Sequence, residues 1–137
     1  MHPIKGLNRW TLGLTYVTAA LHFVWAFAMQ EHGWAGIARD GFYRAVTDEK
    51  ASDFWLREAS VWFLLAGVTM LAMGTLVHRI IRLTGRMPAQ FGWYMLVLSV
   101  PLCVLYFPTT GGWPVLAIGV LGLLAARRHP EPAVGRA

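Results

Sequence analysis

Two ionisable side chains stand out by their position. His22 lies inside the run Trp10–Met29, which has no formal charge of its own, and Glu58 stands at the head of the uncharged run Ala59–Val77. Imidazole and carboxylate are the usual partners for general acid–base chemistry. Thr11, Thr15, Thr18, His22 and Trp25 recur at three- and four-residue steps and so share one helix face. His22 has three readings: a hydrogen bond that helps helices pack, which is the favoured one; proton transfer or substrate contact; and ligation of a tetrapyrrole or metal. No second histidine falls at comparable depth and no CxxC motif is present. No metal site and no cofactor are therefore expected.

Around this pair, Glu31, His32, Arg57 and Glu58 come at the ends of two apolar segments, where they could surround a shared mouth. The plainer reading is a solvated cluster of interfacial charges. In the functional reading, Glu58 and His22 are the catalytic candidates, and Thr18, Trp25, Glu31, His32 and Trp62 are the binding candidates. Arg57 precedes Glu58 in sequence but points about 100° away round a helix, so it need not neutralise it.

The elements that must position these residues follow from the apolar runs. Ala59–Val77 is 19 residues without a charge. At about 1.5 Å per residue it covers roughly 28 Å, the hydrocarbon thickness of a bilayer. The expected fold is all-α, an integral membrane four-helix bundle with spans at about 10–29, 54–83, 89–107 and 113–126. A short interfacial helix is expected between spans 1 and 2. Ala26-Phe27-Ala28 has the small-x-small form of a signal-peptidase site, but the apolar run is longer than a signal core of about 7–15 residues, so span 1 is read as retained.

Between spans 1 and 2, Trp34, Ile37, Ala38, Phe42 and Val46 fall at helical spacing, while Gly36 and Gly41 oppose a helix. Ser52 or Asp53 is positioned to cap span 2. Gly85 suits a left-handed helix end and Pro88 the first turn of span 3. Pro101 is expected to kink span 3. Ser60, Gly67 and Gly74 repeat every seven residues, the spacing of a close helix–helix contact. Residues 129–137, with Pro130 and Pro132, are expected to be a disordered cytoplasmic tail.

Composition agrees with this reading: 56% of residues are apolar and 14% charged, and the charges cluster between the apolar runs. The net charge of +5 comes from Lys and Arg at helix ends, where they meet lipid headgroups, so no nucleic-acid partner is expected. The single cysteine, Cys103, excludes an intramolecular disulfide. With four spans, Lys5, Arg9, Arg79, Arg82, Arg86, Arg127, Arg128 and Arg136 share one side. Arg39, Arg44, Lys50 and Arg57 share the other with six acids. The positive-inside rule then makes both termini cytoplasmic.

Leu21-His22, Trp62-Phe63-Leu64-Leu65 with Gly67, Thr84-Gly85-Arg86-x-Pro88 followed by Gly92-Trp93, and Pro108 with Gly111-Gly112-Trp113 together resemble an uncharacterised family of small four-helix bacterial membrane proteins, a domain of unknown function. The resemblance covers about residues 8–128 and implies the fold and an inner (plasma) membrane location without implying an activity. The expected function is to bind a lipophilic molecule or to act as accessory subunit of a larger membrane complex. The partners would be the lipid bilayer, a lipophilic small molecule, and a membrane protein or a second copy of the chain. The alternative is a membrane-embedded acid–base enzyme, an isomerase or cyclase of a lipophilic substrate, using His22 and Glu58.

Overall fold

In a computed structural model that describes residues 1–128, the chain is all-helical, with no strand among those residues. The helices are α1 (Gly6–Val24), α2 (Glu31–Arg39), α3 (Phe54–Thr84), α4 (Ala89–Leu105) and α5 (Gly112–Arg127). A π-helical turn, Trp25–Met29, extends α1. Two segments, Gly6–Ala28 and Phe54–Thr84, are long and apolar enough to cross a membrane; α4 and α5 are apolar but shorter. The expected tail, 129–137, lies outside the described residues.

The chain divides into two compact units, Val17–Ala72 and Met1–Tyr16 with Met73 onward, so α1 and α3 each contribute a segment to both. In the unit containing the first residues, the start of α1 runs antiparallel to the end of α3. The Tyr16 hydroxyl lies 3.2 Å from His78 Nδ1. The His2 amide donates to the Arg82 carbonyl at 2.9 Å. Gly74 faces Thr15 and Tyr16, and a Cβ placed there would lie 3.2 Å from both side chains. Gly85 ends α3 with φ +75°, as its residue type suggests, whereas Pro88 takes the extended N-cap position of α4, just before its first turn.

Helices α4 and α5 meet more closely still. A Cβ on Gly92 would lie 2.8 Å from the Leu123 amide nitrogen, and one on Gly119 would lie 3.0 Å from that of Leu96. Only hydrogen in place of a side chain lets the two backbones approach this way. Phe91, Met95, Ser99 and Ile118 are buried in this unit. The helix continues through Pro101 to Leu105.

In the Val17–Ala72 unit, α2 lies across the first turns of α3. A Cβ on Gly33 would strike the Ser60 hydroxyl and lie 2.6 Å from the Leu56 carbonyl oxygen. A Cβ on Gly36 would strike Asp53 and lie 2.7 Å from Arg57 Nε. The interfacial helix expected from the apolar series is thus shorter and turned: its buried face is Gly33, Gly36 and Ile37, while Phe42 is exposed. The reason is local. Gly41, Phe42 and Arg44 all have positive φ, which ends the helical period before Phe42 and Val46 can join it.

Candidate functional site

The most ordered polar arrangement is built on Arg57, in the first turn of α3. Its guanidinium donates from Nη1 to Asp40 Oδ2 and to the Ala45 carbonyl at 2.9 Å. Nε lies 2.8 Å from Asp53 Oδ1, a close ion pair in which the N–H is not directed along a hydrogen bond. The side chain is only 6% exposed, covered by Gly36 of α2 and by Asp40, Ala45 and Asp53. Asp53 holds the N-cap position, but its carboxylate serves Arg57 and not the free amides of the helix end. The Arg57 guanidinium beside Asp53 keeps that carboxyl below the usual carboxylate range, against a smaller opposing effect of partial desolvation.

The cluster ties the long connection to α3. Asp40 lies at the end of α2, Ala45 in the turns beyond it and Asp53 just before α3, so one cation fixes three points of a segment with no other regular structure. Arg39 approaches Asp53 more loosely, at 3.7 Å, and is largely exposed. His32 and Arg57 line the same cleft. Of the four residues expected around a mouth, Arg57 is thus engaged by Asp40 and Asp53, and Glu31 sits 3.9 Å from His32 with both side chains exposed. Glu58 is half-buried and makes no hydrogen bond or ion pair among the described residues.

His22 belongs to the same unit and faces α3. Its Cβ lies 3.2 Å from where a Cβ on Gly67 would stand, and its ring centroid is 6.0 Å from that of Phe63. Trp25 adds a second ring, 5.9 Å from Phe63. Nδ1 lies 2.8 Å from the Thr18 carbonyl oxygen. A carbonyl can only accept, so Nδ1 carries the hydrogen, and in the neutral ring Nε2 is left with its lone pair free. The Thr18 hydroxyl is buried without a hydrogen-bond partner among the described residues, whereas Thr11 and Thr15 bond back to Leu7 and Thr11 carbonyls at 2.8 Å. The threonine face is therefore a packing face that also carries His22. Trp62 points outward, 64% exposed.

Sequence reasoning missed the role of Asp40 and Asp53 and of Gly33. The signal for the ion pair was present, since Asp53 and Arg57 are four apart, the spacing at which an acid preceding a base pairs on a helix. Asp40 had no such signal, because it lies 17 positions before Arg57, across the turns that precede α3.

The model for a family of unknown function, DUF6463, matches residues 7–129. The chain belongs to that family. The match runs from the second residue of α1 through the end of α5, so both the Arg57 cluster and His22 lie within it. No curated protein and no solved structure matches the chain.

Proposed function

We propose that this DUF6463 protein is a four-span integral protein of the bacterial inner membrane, with both termini cytoplasmic, that binds a lipophilic molecule or serves as accessory subunit of a larger membrane complex. The observation that carries the reading is the apolar surface of its helices. Trp62, Leu76, Val97 and Val104 are 63–71% exposed, and the helices bearing them are apolar on their outer as well as their inner faces. A helix apolar all round needs either protein or lipid around it, and exposed residues of this size are stable in hydrocarbon. Large apolar side chains outside, with glycine, serine and threonine among the buried residues, are the arrangement expected where lipid is the solvent.

Orientation is tested with single cysteines at Ala38 and Ala89, both exposed, in a Cys103→Ala background, by labelling intact cells with an impermeant maleimide. Position 38 is expected to label and position 89 to require permeabilisation. The opposite pattern would reverse the topology, and labelling of neither before or after permeabilisation would remove its basis.

One observation favours an acid–base reading as the second: the Nδ1–H bond to Thr18 leaves Nε2 of His22 oriented by its own helix and free to take a proton. If His22 only packs, His22→Gln should leave thermal stability within about 1 kcal/mol and leave ligand retention unchanged. If it transfers protons, the same variant keeps its fold but loses turnover of the copurified lipophilic molecule.

A further inference from the structure

The Val17–Ala72 unit contains a cleft of about 470 Å³ between one edge of α2 and the turn leading into α3. His32, Ala35 and Arg39 form the α2 edge, being three and four residues apart on one helix face. Asp40, next in sequence to Arg39, and Asp53 also line it, with Arg57, 6% exposed, at its base. The volume falls within the range of about 300–1,000 Å³ typical of small-molecule sites.

The charges at the base are not the ones a ligand would meet. Arg57 is occupied by two carboxylates and a carbonyl. Arg39, by contrast, touches Asp53 only at 3.7 Å and makes no hydrogen bond among the described residues. Asp40 gives Oδ2 to Arg57, while Oδ1 has no partner among those residues and the side chain is 48% exposed. The mouth therefore offers a guanidinium held only by one loose ion pair to Asp53 and, on the next residue, a carboxylate oxygen without a partner among the described residues. An anion alone would be opposed by Asp40, and a cation alone by Arg39. A zwitterion satisfies both, and a planar guanidinium favours phosphate while a carboxylate oxygen favours an ammonium that can donate hydrogen bonds.

We propose that this cleft binds a phosphoethanolamine group, its phosphate on Arg39 and its primary ammonium on Asp40. As the headgroup of a phospholipid it rests on the membrane reading above, which would bring the start of α3 to headgroup level; free phosphoethanolamine carries the same chemistry. The purified protein is exposed in micelles to equimolar phosphatidylethanolamine, phosphatidylcholine and phosphatidylglycerol, and bound lipid is read by native mass spectrometry. Phosphatidylethanolamine should be retained about tenfold over the other two, because only it combines the phosphate with a hydrogen-bonding ammonium. Arg39→Gln, which leaves the ion pairs of Arg57 intact, should remove that preference, and Asp40→Asn should do so as well.

Equal retention of the three lipids, or a preference that survives Arg39→Gln, overturns the proposal. Competition by free phosphoethanolamine at matching concentration assigns the site to the soluble molecule, and lack of competition assigns it to the lipid. Vesicle flotation separates the two layers of inference. Protein that floats with all vesicles alike and retains no lipid preferentially overturns only the headgroup site. Protein that floats with none overturns the membrane reading, and binding of free phosphoethanolamine, lost in Arg39→Gln, then decides the cleft by itself.

Discussion

Gly92→Ala is expected to destabilise the protein by about 1–3 kcal/mol, the cost of forcing volume into a filled contact. The new methyl would lie 2.8 Å from the Leu123 amide nitrogen and 2.8 Å from Leu123 Cγ. A side chain can rotate away from such a clash, but a backbone nitrogen moves only with its helix, so α5 must retreat from α4 and every contact along that pair weakens. Gly74→Ala is the natural control. The atoms nearest its methyl would be side-chain atoms of Thr15 and Tyr16 at 3.2 Å, which can yield by a few tenths of an ångström. Alanine also favours the helix by about 1 kcal/mol over glycine, so Gly74→Ala should come out within about 1 kcal/mol of the parent. Unfolding in detergent by SDS titration measures both. If the two variants lose equal stability, the closeness of α4 and α5 is not what limits substitution.

Arg57→Met should open the connection between α2 and α3. Methionine fills similar space but leaves Asp40 and Asp53 facing one another without their cation and the Ala45 carbonyl without its donor. Two like charges held together repel, and a carbonyl stripped of its partner favours water. Trypsin should then cut at Arg39, Arg44 or Lys50 about tenfold faster than in the parent, because cleavage follows the population of the locally open state. Unchanged cleavage would show that the turn is held by its other contacts.

Acid should act on the same latch. The carboxyl of Asp53 is held below its ordinary range in the folded protein, and an unfolded aspartate titrates near about 3.9. Folding thus gains from the ionised form above that value, and the gain is lost as pH falls through the lower folded-state value. Amide exchange over residues 40–53, corrected for its intrinsic pH dependence, should show protection at pH 7 that begins to fall near about pH 4 and is lost only in stronger acid. In Arg57→Met the protection should be low at both.

The sequence alone determined the long apolar elements, because their signal is local and additive. A charge-free run of 19 residues is legible whatever it packs against. The same holds for the end of α3 at Gly85, whose residue type carries its own backbone preference. Membership of an uncharacterised family was also legible, from a handful of short motifs, and the match at residues 7–129 came within a residue at each end of the expected 8–128. The heptad of Ser60, Gly67 and Gly74 was legible for the same reason, since spacing on one helix fixes which residues share its face.

Tertiary structure decided everything that depends on two separated segments meeting. Gly36 looked like a residue that weakens a helix, and in isolation it is. Against Asp53 and Arg57 it is the only residue type that lets α2 come down on α3, so a cost in propensity is repaid by a contact that the sequence of α2 does not contain. Arg57 looked like one member of a solvated charge cluster, and folding withdrew it from water because turns 40–53 place Asp40 and the Ala45 carbonyl over it. His22 could be assigned to a helix face from spacing, but which nitrogen holds the hydrogen follows only from the 2.8 Å approach of Nδ1 to the Thr18 carbonyl. Periodicity is a property of one segment, whereas ion pairing and close packing are properties of two, and their free energy appears only once the chain has brought both together.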